Sequence, residues 1–271
     1  MFKIKKMELK NKKIIIFGAA GMLGTEITLN LVFQGAQCIL IDNDLKALNN
    51  LRNKIKKKSK QNYFIKADIT DEKQLANIKK EIKKRFGLLD GMVNLIANDP
   101  KVKKSKSKSL EQFTNIDIER FKQDLNVGLI GAVSICKYFV NLLKKNSYSS
   151  VVNIASDLSI ISPDHRIYSN KKKNFFSKPI SYSIIKYGIV ALTKYLATYY
   201  GPQKIRFNSI SPGGIEFGQS KDFKKKISKL IPLGRMAKKN EINSALIYLL
   251  SPKSSYTNGI NLVIDGGRSI W

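Results

Sequence analysis

Two side chains one helical turn apart, Tyr182 and Lys186 in the run Tyr182-Ser-Ile-Ile-Lys186, carry the clearest chemistry in this chain. Residues four apart on a helix leave from the same face. An ammonium beside a phenol stabilises the phenolate, so the pair makes a proton donor and acceptor tuned toward neutrality. Upstream, Gly18-Ala-Ala20-Gly21-Met22-Leu23-Gly24 follows an apolar run, Lys13 to Phe17, and opens a helical pattern. Glycines at such a turn let the backbone approach a pyrophosphate and let the helix pack on the strand. The helix N-terminus supplies N–H groups and positive dipole to the phosphates. The glycine cluster thus marks a dinucleotide, and the tyrosine–lysine pair marks what is done to the substrate.

Asp42 ends the second apolar run. A carboxylate there can accept both hydroxyls of the adenosine ribose and would repel a 2′-phosphate. No Arg or Lys lies in the glycine turn to hold that phosphate, which favours NAD over NADP. The alternative use of Asp42, with Asn43 and Asp44, is to cap the next helix. Different residues can serve the two purposes. The sole histidine, His165, is either a solvated loop residue or a substrate contact. Cys38 and Cys136 sit in apolar surroundings and read as buried free thiols. No Cys/His cluster has ligand spacing, and no catalytic metal is expected.

The elements that must position these groups alternate in a βαβ rhythm. Strands are predicted at Lys13–Phe17, Gln37–Ile41, Tyr63–Lys66, Gly91–Ile96, Ser150–Ala155, Ile205–Ile210 and Ile260–Ile264. Helices are predicted at Met22–Gln34, Asp44–Lys58, Asp71–Phe86, Ile118–Lys145, Ile180–Tyr200 and Glu241–Leu250. The expected fold is α/β: one doubly wound parallel sheet in three α/β/α layers, a single domain over residues 1–271. Two irregular segments, near residues 98–115 and 158–179, follow strands. Both should emerge at the carboxyl edge, where such sheets bind ligands.

Composition bounds the partners. A chain of 271 residues with 43% hydrophobic content can bury one large core. No run approaches membrane-spanning length by this reading, and the basic start leads into glycines rather than a signal sequence, so a cytoplasmic protein is expected. The net charge of +29 invites nucleic acid. The basic residues are scattered over polar helix faces and loops, with no basic helix or aromatic-interleaved stripe. They read as solvated surface ahead of a site for an anionic substrate or acidic carrier, with nucleic acid last.

With Gly18 to Gly24, Asp42, Asp68, Asn94, Asn126, Ser156, Tyr182, Lys186 and Pro212-Gly213 in this order, the chain resembles the short-chain dehydrogenase/reductases from Lys13 to Gly267. The resemblance implies a Rossmann fold binding NAD(P) through Gly18, Ala20, Gly21, Met22, Leu23 and Gly24. It implies that Asp68, with Ile69 beside it, approaches the adenine, and that Asn94 begins the stretch after the fourth strand. Asn126 would hold a water in a proton relay. Ser156 would hydrogen-bond the substrate oxygen, and Tyr182 would act as general acid/base. Lys186 would bind the nicotinamide ribose and lower the tyrosine pKa. Pro212-Gly213, followed by Ile215, would lie beside the nicotinamide. The chain departs from the pattern at Phe17 (usually threonine), at Met22 (commonly glycine), and at Asn94-Leu-Ile-Ala97. Ile215-Glu216-Phe217 lacks the family's threonine, leaving carboxamide recognition to backbone groups.

Pro163 to Tyr168, Ser211 to Ile215, Pro232 to Ala237 and Asp265 to Trp271 resemble a subgroup found with sialic-acid-type sugar biosynthesis and flagellin modification. This implies hydride transfer between NAD(H) and a secondary alcohol or ketone, on a sugar or sugar nucleotide. Lys103, Lys104, Arg166 and Lys171 would suit its anionic groups, with Arg166 and Tyr168 gripping a phosphate or carboxylate. The alternative for that segment is an insertion packing on a neighbouring subunit. The enzyme alternative is a 3-oxoacyl thioester reductase with an acidic acyl carrier. The alternative of another class, a non-catalytic dinucleotide- or nucleic-acid-binding protein, is opposed by the complete tetrad. Relatives pair through the helices Ile118–Lys145 and Ile180–Tyr200, and a homodimer or homotetramer is expected.

Overall fold

The computed structural model describes residues 7–55, 61–97, 113–168 and 178–271. Seven strands form one sheet: β1 (Lys13–Phe17), β2 (Gln37–Asp42), β3 (Tyr63–Lys66), β4 (Gly91–Asn94), β5 (Ser149–Ile154), β6 (Ile205–Pro212) and β7 (Asn261–Ile264). Their spatial order is β3-β2-β1-β4-β5-β6-β7, and all pairs are parallel. This is the doubly wound order with one strand added, and its switch point lies between β1 and β4.

Side chains alternate across a strand, so each strand feeds two cores. Ile15, Phe17, Ile39, Ile41, Met92 and Val151 face the layer of α3 (Glu72–Phe86), α5 (Gly131–Phe139) and α6 (Ile180–Tyr200). Ile14, Ile16, Leu40, Val93 and Val152 face α1 (Met22–Phe33), α2 (Leu45–Lys54) and α8 (Asn243–Leu250). Cys38 and Cys136 lie one in each core, and burial pushes both thiols up to about 12, which keeps them protonated and inert. Starts follow capping chemistry: Asp44 accepts from Ala47 N–H, Asp71 from Lys73 and Gln74, and Asp117 from Arg120 at the head of α4 (Ile118–Leu125).

The structure corrects the predicted elements at several points. The helix expected over Ile118–Lys145 is α4, a π-helical segment Asn126–Ile130 and α5, closed by a 3-10 turn at Val140–Leu142. Ile118–Leu142 spans 25 residues and is long and apolar enough to cross a membrane, contrary to the sequence expectation. Its most apolar window is 44% buried inside the protein, where it covers the sheet. A further helix, α7 (Lys221–Ser228), was not expected because its lysines read as a charge run; Ser220 caps it, and Phe223 and Ile227 give it an apolar stripe. β4 stops at Asn94 rather than Ile96, and the last helix begins as a 3-10 turn at Lys239–Ile242. The C-terminal end of the predicted Asp44–Lys58 helix, most of the 98–115 segment and residues 169–177 of the 158–179 segment, with Lys103, Lys104 and Lys171, lie outside the described residues.

Candidate active site

The glycine turn sits between β1 and α1. Gly18 has φ +75°, the left-handed region that favours glycine, and the Gly18 and Ala19 N–H groups both donate to the Ile41 carbonyl, at 2.9 and 3.1 Å. A Cβ on Gly24 would lie 2.0 Å from the Gly18 carbonyl oxygen, so helix and turn touch backbone to backbone. Gly21 is different: a Cβ there would meet that oxygen at 3.5 Å, an ordinary contact. Within the protein, then, glycine is required at positions 18 and 24. Position 21 keeps its backbone open outward, as a phosphate-binding turn needs. Met22 is exposed, and Leu23 packs on the core.

Asp42, at the end of β2, reaches this turn. Its Oδ2 accepts the Ala20 N–H at 2.9 Å, and its Oδ1 accepts the Asp44 N–H at 3.1 Å. Asp44 is the residue that caps α2. The capping role considered for Asp42, Asn43 and Asp44 thus falls to Asp44. Asp68 is exposed and accepts the Thr70 N–H and hydroxyl at 2.9 and 2.7 Å. The Ile69 side chain is buried against Gly131, where a Cβ would come within 2.3 Å of it.

Asn94 begins a buried polar chain. Its Nδ2 donates to Asn153 Oδ1 at 3.3 Å, and its Oδ1 accepts the Ile96 N–H at 3.0 Å. Asn153 donates on to Thr193 Oγ1 at 2.9 Å, which donates to the Ile189 carbonyl at 2.8 Å. One chain of hydrogen bonds thus fixes β4, β5 and α6 to one another.

Three of the four residues expected at the chemistry, Ser156, Tyr182 and Lys186, come from just after β5 and from α6. Lys186 is 3% exposed and donates to the Ile154 carbonyl at 2.8 Å, two residues before Ser156. Its ammonium lies 5.6 Å from the centre of the Tyr182 ring. Ser156 is buried; its Oγ donates to Asp157 Oδ1 at 2.8 Å and accepts the Leu158 N–H at 3.2 Å. Asn126 opens the π segment, its carbonyl accepting the Gly131 N–H five residues on. A π turn inside a helix recurs at functional sites. Close packing seats that segment on α6: Gly128 admits the Ile185 side chain, which a Cβ would meet at 2.8 Å. Ser181, beside Tyr182, donates to Asp124 Oδ2 at 2.7 Å, tying α6 to α4.

At the third strand end, Gly213 N–H donates to the Ile264 carbonyl at 2.9 Å, and a Cβ on it would meet the Asp265 Cα at 2.8 Å. The Pro212-Gly213 turn is thereby held against the chain after β7. Ile215 pairs with Ala237, and its carbonyl accepts from Gln219 Nε2 at 2.8 Å.

Arg166 and Tyr168 are engaged within the protein. The Arg166 guanidinium makes a two-pronged bond to Asp164, at 2.9 and 2.8 Å, and holds that carboxyl below its usual range. It is largely exposed, so the pair contributes little to stability. Tyr168 stacks at a tilt on Phe223 of α7, ring centres 5.5 Å apart. Two features were missed in the sequence. Lys178 places its ammonium 3.8 Å from the Tyr182 ring centre, nearer than Lys186. Asp157 beside Ser156 is paired with Arg268 from the far end of the chain. The first had a signal, a lysine four residues before the tyrosine; the second had none, because no local period links the two.

The comparisons with known proteins bear directly on this arrangement. A family profile described as Enoyl-(Acyl carrier protein) reductase matches residues 18–269. The chain belongs to the short-chain dehydrogenase/reductase family. It is 28% identical to the post-translational flagellin modification protein A of Campylobacter coli, over 96% of this chain and 98% of that one. It is 27% identical to the 3-oxoacyl-[acyl-carrier-protein] reductase of Thermotoga maritima, over 97% of this chain and all of that one. A crystal structure of a short-chain dehydrogenase from Leptospira borgpetersenii with bound NAD+ matches with TM-score 0.81 and 29% identity, covering 100% of this chain and 97% of that one. The protein is thus a short-chain dehydrogenase/reductase with a dinucleotide fold, an oxidoreductase of CH–OH groups. The glycine turn fits the cofactor of that family: the Gly24 contact leaves no room for a side chain between turn and helix, and Asp42 holds the turn by its Ala20 N–H.

Proposed function

We propose that this dehydrogenase/reductase prefers NAD(H) and acts on a secondary alcohol or ketone of an anionic sugar or sugar nucleotide. The observation that carries this reading is the placement of two ammonium groups, Lys178 and Lys186, 3.8 and 5.6 Å from the ring centre of Tyr182. When bound, the cofactor supplies or takes the hydride. Tyr182 donates a proton to the forming alkoxide in reduction and removes it in oxidation. Ser156 bonds the reacting oxygen, and Asn126 with Lys186 passes the proton to solvent. Lys178 adds positive charge where an anionic substrate would enter, which the scattered surface lysines do not. The likeness to a flagellin modification protein supports a sugar, and the likeness to a 3-oxoacyl reductase supports the thioester as the second reading. Purified protein with NADH and NADPH against keto-sugars and 3-oxoacyl thioesters separates them: turnover confined to thioesters rejects the sugar.

NAD preference follows from Asp42. A carboxylate at the end of β2 would repel a 2′-phosphate, and its bond to the Ala20 N–H supports this reading by holding it at the glycine turn. Fluorescence titration should show NADH binding at least about tenfold tighter than NADPH, a difference of about 1.4 kcal/mol. Asp42→Ala should weaken NADH and narrow the gap, since it removes both the repulsion and the tether. Tighter NADPH binding by the wild type would reject this assignment.

The segment before Tyr182 is proposed as the specificity loop, anchored at Ser156 and at Pro179. Arg166→Ala and Tyr168→Ala should each raise the substrate KM severalfold with NADH affinity unchanged. Unchanged KM in both variants would leave the segment a packing role, which the Tyr168–Phe223 contact already provides in part. We propose a homodimer or homotetramer as the working form, supported by exposed Ile130, Val133, Ile184, Tyr187, Tyr195 and Tyr199 on the α5 and α6 side. Light scattering on the same preparation reads it, and a monomer at micromolar concentration would contradict it.

A further inference from the structure

Behind Ser156 lies a buried ion pair for which the tyrosine–lysine chemistry has no use. Arg268 Nη1 donates to Asp157 Oδ2 at 2.6 Å, with the two side chains 5% and 4% exposed. The other oxygen of Asp157 accepts the Ser156 hydroxyl at 2.8 Å and the Leu158 N–H at 2.9 Å. Both oxygens of the carboxylate are therefore engaged, one by the guanidinium and one by the serine turn.

A serine hydroxyl has a single proton and two lone pairs. Here the proton goes to Asp157 and one lone pair takes the Leu158 N–H. The lone pair of Ser156 Oγ that is left can accept from a substrate alcohol, and to donate to a ketone oxygen the hydroxyl must swing away from Asp157. Asp157 without Arg268 would be a bare buried carboxylate, which holds a neighbouring hydroxyl far more strongly than a paired one. Arg268 thus sets how firmly the serine proton is kept.

The surroundings make this arrangement rigid. Ser159 Oγ donates to the Ser156 carbonyl at 2.6 Å and bonds Ser211 at 3.0 Å, tying the turn to β6. Asp265 accepts the Gly267 and Ser269 N–H groups at 2.9 and 2.8 Å, which shapes the loop that delivers Arg268. The same Asp265 packs on Gly213. A buried ion pair adds little stability compared with apolar residues of the same size. Its position against Ser156 calls for a different account.

We propose that Asp157 and Arg268 act as positioning residues that fix the direction of the Ser156 hydroxyl. The idea rests on the reading above in one respect, that Ser156 touches the reacting oxygen. Its test is the double replacement Asp157→Leu with Arg268→Met, which removes both charges together and leaves no unpaired ion, made with and without Ser156→Ala. The probes are acetoacetyl-CoA and a UDP-linked 4-keto-sugar, with NADH. The double replacement should keep the melting temperature and the NADH affinity, and lower kcat at least about tenfold with Ser156 present. In the Ser156→Ala background it should change kcat by less than about twofold, since the residue it positions is gone. An equal loss in both backgrounds, or no loss with Ser156 present, overturns the proposal. Should the double replacement not fold, Asp157→Asn with Arg268→Gln keeps a neutral hydrogen-bonded pair and is read the same way. If the wild type turns over neither probe, the substrate reading fails separately. The pair is then judged from the variant's crystal structure, where Ser156 Oγ should leave the Leu158 N–H; an unmoved Oγ overturns it.

Discussion

Tyr182→Phe should lower turnover by about a thousandfold, the central part of the range for a positioned acid/base, while NADH still binds. The substitution keeps the ring, so the contacts of Lys178 and Lys186 with its faces persist. Only the hydroxyl is removed, and with it the group that exchanges a proton with the substrate oxygen. The comparison to make is kcat against NADH affinity by fluorescence titration in the same preparation. A variant with near-normal kcat on an accepted substrate would end the assignment of Tyr182 as the acid/base. A variant that has lost NADH affinity as well would show that the phenol, rather than the turn, organises the cofactor site.

Gly24→Ala carries the second large effect, for a reason independent of chemistry. The new methyl would stand 2.0 Å from the Gly18 carbonyl oxygen and 2.8 Å from the Ala19 carbonyl carbon. These are backbone atoms, and they cannot turn aside as a side chain can. The turn must open, and Gly18, Ala19 and Ala20 lose their bonds to Ile41 and Asp42. NADH affinity should fall by at least about a hundredfold, and stability by about 1–3 kcal/mol, as overpacking of a tight contact costs. Calorimetry with and without NADH reads both. Gly21→Ala is the internal control, because its methyl meets ordinary spacing within the protein. Should Gly24→Ala bind NADH as well as Gly21→Ala does, the turn would have more slack than its geometry allows.

Most of the sheet was legible because its strands are buried on both faces and read as unbroken apolar runs, as Ile14-Ile-Ile-Phe17 and Cys38-Ile-Leu-Ile41 do. The glycine turn was legible for the same local reason: residues adjacent in sequence are adjacent in space. The break in the helix at Asn126 was not, because Asn-Val-Gly-Leu-Ile continues an apolar pattern and its i→i+5 bond leaves no mark in composition. α7 was hidden by Lys224-Lys-Lys226, whose charge masks the stripe of Phe223 and Ile227. The Asp157–Arg268 pair joins residues 111 positions apart, and a single sequence holds no signal for it. Tyr182 was marked by its spacing from Lys186, whereas Asn126 and Ser156 were found through resemblance, and the structure adds what Ser156 is bonded to.

The π turn at Asn126–Ile130 also has a meaning for insertions and deletions. A helix that gains one residue without disturbing its neighbours absorbs it as such a turn, since each residue advances an α-helix by about 100°. On one side, α4 is locked in phase by Asp124 against Ser181; on the other, α5 is locked by Ala132, Ile135 and Phe139 in the core. At the present length the two phases are incompatible with one uninterrupted α-helix. Any substitution at Val127 or Leu129 leaves this mismatch intact, whereas removing a single residue there would let one regular α-helix serve both halves with their packing kept. This stretch should accordingly tolerate the loss of one residue far better than the gain of another.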